Sequence, residues 1–233
     1  MIDSSTNAQI SSECPAFAKP LLAEVPLGSV PISEVYLMDC VEGMKHYPDK
    51  YFDLAVVDPP YGIGADKKNA HSSIRDNDLY KDADWDIKPQ LEYFIELFRV
   101  SKEQIIWGGN YFLDFLPSTQ CFLIWNKPER NFSLADAELA WTSFNKSTRC
   151  FDFPRNKGER IHPTQKPIEL YDFCFKRFAT EGMKILDTHL GSGSSRISAN
   201  KNKLNFVGFE IDEEYFNKQN KRYVDFSSQT RLF

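Results

Sequence analysis

The chain has 233 residues, 42% of them hydrophobic, enough for one sizeable domain with its own core. Its formal charge of −5, from 28 basic and 33 acidic side chains, excludes a body that holds nucleic acid by bulk positive charge; only a local basic surface could do so. Five cysteines, an odd total with no C-x-x-C pair, read as reduced thiols and imply neither a disulfide framework nor a zinc site, so no metal is expected.

No stretch approaches the ~20 apolar residues of a membrane span, and the opening "MIDSSTNAQISSECP" lacks the basic start and apolar core of a signal peptide, so the chain reads as cytoplasmic. Residues 1–31 are polar and carry Pro15, Pro20, Pro26 and Pro31, which predicts a loosely ordered arm. The domain is expected over 32–225, with a tail at 226–233. "EVYLMD" predicts a strand, "VEGMKHY" a short helix, and "DLAVV" a strand whose unbroken apolar run suits burial on both faces of a parallel sheet. Residues 64–88 are polar and without periodicity, the mark of a functional, mobile loop.

"QLEYFIELFRVS" predicts a helix with Leu91, Phe94, Ile95, Phe98 and Val100 on its buried face, and "EQIIW" a further buried strand. "CFLIW" and "AELAWTSF" follow with no helix between them, which predicts an antiparallel pair at one sheet edge. "KPIELYDFCFKRFA" restarts the alternation as a helix with Pro167 in its first turn, and "MKILD" is a strand. A glycine turn "THLGSGS", a helix "SRISANKN", a strand "NFVGFEID" and an amphipathic helix "EEYFNKQNKRYV" complete the chain. The expected fold is α/β, a doubly wound and mostly parallel sheet with an antiparallel edge strand.

The glycine turn is chemically suggestive. Gly191 and Gly193 lie between a strand and a helix, where small residues let a ligand reach free N–H groups at the helix start. Glu210 ends the next strand, about twenty residues on, where a carboxylate can accept both ribose hydroxyls of a nucleoside. Arg196 stands where a dinucleotide-binding loop has its third glycine, which disfavours a nicotinamide oxidoreductase. Asp187, just before the turn, would repel a pyrophosphate but suits the cationic amino acid moiety and sulfonium of S-adenosylmethionine.

"VDPPYG" then acquires a task. Asp58 ends the buried strand, where ligands of open α/β sheets bind. An exocyclic amine on a nucleobase is a poor nucleophile because its lone pair is delocalised into the ring. Acceptors on its two N–H bonds, the Asp58 carboxylate and the Pro59 carbonyl, would favour a tetrahedral nitrogen. Pro59 and Pro60 fix the backbone and bring no competing N–H, and Tyr61 offers a ring to a base swung out of the helix. An ordinary strand-ending turn would explain the prolines alone; the intact Asp58 to Tyr61 also disfavours a catalytically silent binding module.

With these residues the sequence resembles the S-adenosylmethionine-dependent amino-methyltransferases of DNA that carry a D-P-P-Y motif. "VDPPYG", "IHPTQKP", "LDTHLGSGSS" and "GFEID" occur in the catalytic-first, cofactor-loop-last order of the beta-class members, over about residues 34–223. The resemblance implies a seven-stranded sheet with a reversed edge strand, permuted so that the catalytic half precedes the cofactor-loop half. It implies a catalytic loop of Asp58, Pro59, Pro60 and Tyr61, and a cofactor site of Asp187, His189, Gly191, Gly193, Ser194, Glu210 and Ile211. Asp39 and Cys40 of "MDC" join that site, Asp39 toward the cofactor's adenine amine, and Lys166 would neutralise its carboxylate. His162 is read as a structural or capping group.

The implied reaction is methylation of adenine N6 in double-stranded DNA with the target base flipped; cytosine N4 and structured RNA remain open alternatives. Two departures stand out: Thr188 and His189 replace the usual proline and phenylalanine, and residues 126–160 are short for a target-recognition domain. DNA contact is expected from Lys67, Lys68 and Arg75 in the 64–88 loop and from Arg149, Arg155, Lys157 and Arg160. A homodimer would supply the DNA surface that one small acidic subunit lacks.

Overall fold

The computed structural model describes residues 31–64, 86–130, 135–155 and 160–230. Within them lie strands β1 (Ser33–Leu37), β2 (Phe52–Val57), β3 (Ser101–Trp107), β4 (Phe122–Asn126), β5 (Ala137–Thr142), β6 (Arg149–Asp152), β7 (Lys184–Asp187) and β8 (Asn205–Glu210). The helices are α1 (Cys40–Lys45), α2 (Leu91–Val100), α3 (Ile168–Phe178), α4 (Ser194–Lys201) and α5 (Glu213–Thr230), with a 3₁₀ turn at Gly109–Tyr111. One sheet holds all of these strands in the order β1-β8-β7-β2-β3-β5-β4-β6.

Chain direction decides the layering. From β1 through β2 to β3 the chain moves one way along the sheet, and right-handed crossovers put α1 and α2 over one face. There Met44, Phe94 and Leu97 pack on Phe52, Val57 and Leu186. From β6 through β7 to β8 the chain moves back, so α3 and α4 fall on the opposite face, where Leu170, Phe175 and Ala199 meet Leu54, Ile105 and Ile185. Both faces of β2 are therefore covered, which is why its Leu54 to Val57 run is apolar throughout.

The sheet is mostly parallel, as expected, with β5 alone reversed against β3 and β4 among the described strands. Among the described residues it has eight strands rather than seven. "RCFD" adds to β4 in parallel as β6, so β5 lies third from that edge. A four-residue strand is too short to show alternation. From 226 to Thr230 the expected tail is helical, as the end of α5, and 231–233 lie outside the described residues. Gln219, Tyr223 and Phe226, at i, i+4 and i+7, keep one side of that helix turned toward the molecule.

The buried face of α2 differs from the expected one. Tyr93, Phe94, Leu97 and Val100 are inside, whereas Leu91 and Ile95 are 55% and 56% exposed. Tyr93 can take the inner position because its hydroxyl meets Thr188 Oγ1 at 2.8 Å. Pro167 precedes α3 as its N-cap with extended backbone rather than entering the first turn. No described helix is long and apolar enough to cross a membrane.

Candidate active site

β2 and β7 are neighbours, and their crossovers leave in opposite directions, so a crevice opens at their C-terminal ends. Asp58 follows β2, Asp187 ends β7, Glu210 ends β8 and Asp39 follows β1. Four adjacent strands thus deliver four carboxylates, far apart in sequence, to one end of the sheet.

Asp58 is held on both oxygens. Its Oδ1 accepts from the Tyr61 hydroxyl at 2.7 Å, and its Oδ2 accepts from the Lys166 ammonium. Burial, with Asp58 and Glu138 nearby, pushes the Tyr61 phenol well above its ordinary pKa, so it stays a neutral donor. The Tyr61 ring lies against Gly108, which adopts the left-handed conformation at φ 69°. Tyr111, from the 3₁₀ turn, stacks on it with centroids 4.9 Å apart and planes 17° from parallel. Beyond Tyr61, the Gly62 and Ile63 N–H groups donate to Asp86 Oδ1 and Oδ2 at 2.8 and 2.9 Å, so the two borders of segment 65–85 meet.

Lys166, expected to neutralise the cofactor's carboxylate, is paired here with carboxylates of the protein itself. It is 5% exposed, and its ammonium is engaged with Asp58, with Glu138 Oε2 at 3.3 Å and the Tyr61 hydroxyl at 3.3 Å. A desolvated ammonium takes the nearest carboxylates, and β5 and β2 present two. Glu138 in turn pairs with Lys127, whose ammonium lies 4.6 Å from the Trp125 ring centre. Sequence reading missed Glu138 and Lys127. The available signal was the single acid in "AELAW", at a position whose period-2 neighbour Ala140 is buried.

The glycine turn assembles as expected. Asp187 Oδ1 accepts from the His189 N–H at 3.1 Å and Oδ2 from Ser195 Oγ at 2.5 Å. Burial pushes its carboxyl up to about 7. Glu210 Oε2 accepts from the Gly191 N–H at 2.8 Å, and Oε1 from those of Ile211 and Asp212 at 2.9 and 3.0 Å. Gly193, at φ 69°, caps α4, whose first residue Ser194 meets Ser192 Oγ and Arg222. Ile211 exposes its side chain beside Glu210.

The unusual pair Thr188 and His189 forms a polar wall, with Thr188 Oγ1 2.9 Å from His189 Nδ1 and 2.8 Å from the Tyr93 hydroxyl. Burial pushes the His189 imidazole down to about 4, leaving it neutral near pH 7. Asp39 Oδ1 caps α1 through the Val41 and Glu42 N–H groups, and burial pushes the neighbouring Cys40 thiol up to about 12. Arg196 serves packing: its guanidinium donates to Ser33, Gln219 and Asn220 and lies 3.8 Å from the Tyr223 ring centre. His162 Nδ1 accepts from the Thr164 N–H, and its ring packs on Tyr215 and beside Gly191.

The expected DNA contacts divide. Lys67, Lys68, Arg75 and Lys157 lie outside the described residues. Arg155 and Arg160 follow β6 and border the catalytic end, Arg155 donating to Ala135 O at 2.7 Å. Arg149 does not join them. β6 runs parallel to β4, so Arg149 starts it at the opposite end of the sheet, where it lines a cavity of about 420 Å³ with Lys146 and Arg177.

Comparison with known proteins finds likeness to DNA methyltransferases in sequence and in fold. The N6/N4 family described as DNA methylase matches residues 106–221. The type II methyltransferase M.HpaI of Haemophilus parainfluenzae is 20% identical over 228 residues, 79% of this chain and 72% of its own. The M1.HpyAVI–SAM complex superposes with a TM-score of 0.57 at 20% identity, covering 82% of this chain and 98% of that one. The PvuII DNA methyltransferase, cytosine-N4-specific, gives 0.57 at 10% identity, covering 88% and 96%.

Proposed function

We infer that this chain, a DNA methyltransferase of the N6/N4 family, transfers a methyl group from S-adenosylmethionine to the N6 amine of an adenine flipped out of duplex DNA. The observation that carries the reading is Asp58, at the mouth of the crevice beside the Pro59 carbonyl, with its carboxylate oriented by Tyr61 and Lys166.

The cofactor's chemistry suits the donor set. Glu210 receives backbone N–H bonds yet keeps lone pairs for two ribose hydroxyls. Asp187, whose proton affinity burial has raised, would be stabilised as a carboxylate by a cationic amino acid end. Asp39, with its carboxylate after β1, and the exposed Ile211 would flank the cofactor's adenine. S-adenosylmethionine supplies, when bound, a methyl group on a positively charged sulfur.

Asp58 and the Pro59 carbonyl accept the two N–H bonds of the target amine, withdrawing its lone pair from the ring toward the methyl group. That lone pair forms the new N–C bond, the C–S electron pair stays on sulfur, and the surplus amine proton leaves through Asp58 to water. Tyr61 fixes Asp58 and stacks on the base, which requires Tyr111 to give up its place on the ring. Prolines at 59 and 60 keep competing donors out of this space.

Cytosine N4 is the second reading, favoured by the likeness to the cytosine-N4-specific PvuII enzyme and by the shared chemistry of the two amines. Asp rather than Ser before P-P-Y supports adenine. The test is mass spectrometry of nucleosides from DNA incubated with the protein and S-adenosylmethionine. N6-methyladenine that disappears in Asp58→Ala is expected. N4-methylcytosine would transfer the conclusion to the second reading, and methylation confined to an RNA substrate would overturn both.

A further inference from the structure

We propose that Lys166 and Glu138 act as a positioning pair that sets the orientation of Asp58 and the charge around it during methyl transfer, with Lys127 anchoring Glu138; this rests on the reading of Asp58 as the acceptor of the target amine. Four side chains of alternating sign run from the sheet's edge region to the catalytic loop: Lys127 after β4, Glu138 on β5, Lys166 before α3 and Asp58 after β2. The two ammonium groups are 7% and 5% exposed. Such cations are costly to bury singly, and each here has a carboxylate in contact.

The sharing of Lys166 has a chemical consequence. An ammonium bound only to Asp58 would occupy the carboxylate and weaken it as an acceptor for an amine. Glu138 draws on the same ammonium at 3.3 Å, so Lys166 can hold Asp58 in place while leaving lone pairs to the substrate. Lys166 also reaches the Tyr61 hydroxyl, so one cation touches both polar side chains of the catalytic loop.

Among the described residues, groups from several elements face Asp58. Its own loop brings Tyr61, α3 brings Tyr171, and α2 brings Tyr93, and burial raises all three phenols so that they stay neutral. The charged neighbours among the described residues are then Lys166 and Glu138, with Lys127 behind it, while Asp187 on β7 takes up a proton as the pH falls through about 7. Saturating S-adenosylmethionine pairs Asp187 with the cofactor, which leaves the lysine and glutamate to set the acid limb of kcat.

The experiment measures kcat against pH for transfer of labelled methyl from saturating S-adenosylmethionine to unmethylated genomic DNA, a readout blind to which base is modified. Lys166→Met leaves two carboxylates with one cation fewer, so the acid limb moves up by about one pH unit. Glu138→Gln leaves Asp58 with excess positive charge, so the limb moves down by a similar amount, about one unit. Its kcat at pH 8 falls about tenfold as Lys166 closes on Asp58. Lys166→Arg keeps the limb at its wild-type position, and KM for S-adenosylmethionine stays unchanged throughout.

Thermal unfolding of each variant separates folding from chemistry; if Lys166→Met does not fold, Glu138→Gln and Lys166→Arg decide alone. A limb that stays fixed, or moves the same way in Lys166→Met and Glu138→Gln, overturns the pair while leaving the proposed reaction intact. A wild-type protein that methylates while Asp58→Ala retains full activity overturns the reading of Asp58, and the pair with it.

Discussion

Gly108→Ala tests how tightly the backbone positions the catalytic loop. Gly108 sits at φ 69° and ψ 19°, a conformation that costs an alanine about 1–2 kcal/mol. A Cβ built there lies 2.1 Å from Tyr61 Cε1 and 2.5 Å from Cζ, more than an ångström inside normal contact. Tyr111 at 4.9 Å and Phe112 at 6.1 Å between ring centres hem the Tyr61 ring, so it cannot retreat without loss. Overpacking of this kind costs about 1–3 kcal/mol, and the sum of about 2–5 kcal/mol lowers the unfolding temperature by roughly 10 °C for a domain of this size. Displacing the ring breaks the 2.7 Å bond that orients Asp58. A shift of about 1 Å there lowers kcat about a hundredfold.

Gly109→Ala is the control: its Cβ meets Trp141 Cβ at 2.4 Å instead of Tyr61, so it destabilises with a smaller loss of kcat. Denaturant unfolding and methyl transfer to DNA, measured on both variants, read the two effects. Equal kcat losses in the two variants at equal stability would refute the claim that Gly108 acts through Tyr61, and an unperturbed Gly108→Ala would refute the packing argument itself.

Four further outcomes are expected. Asp187 has a folded-state pKa of about 7, above its ordinary 3.8, so it binds a proton below pH 7 that a cationic cofactor must displace. S-adenosylmethionine affinity measured by calorimetry should therefore weaken about tenfold from pH 8 to pH 6, and Asp187→Asn should flatten this dependence. In the free protein the same shift means that stability falls as pH rises from the unfolded value through 7. Tyr111→Ala removes a stacking partner worth about 1 kcal/mol, so KM for DNA should fall about fivefold; a rise would show that the ring guides the base. Arg196→Ala should cost at least about 2 kcal/mol in chemical denaturation through lost bonds to Ser33, Gln219 and Asn220, with little change in KM for S-adenosylmethionine.

Much of the site was legible because its residues end elements that are themselves legible. Asp58, Asp187 and Glu210 each follow an apolar run that reads as a buried strand, and strand ends in such sheets converge by topology. The Gly191 to Ser194 turn was equally readable from its glycines. Glu138 and Lys127 were not, because nothing local marks an acid on a reversed strand as the neighbour of a lysine before a distant helix. Arg149 lies apart from Arg155 and Arg160 for a related reason: charge is visible in a sequence, but the end of the sheet that it occupies depends on strand direction.

By itself, then, the amino-acid order determined the α/β alternation, the crevice-forming strand ends and the residue types suited to a nucleoside cofactor and an amine. Periodicity and turn chemistry act over a few residues, and those features are local. Only the tertiary structure decided that Lys166 turns to Asp58 and Glu138, that Tyr111 covers Tyr61, and that β6 adds an eighth strand. Each of these joins segments tens of residues apart, where burial of charge and the packing of rings, not local preference, choose the partner.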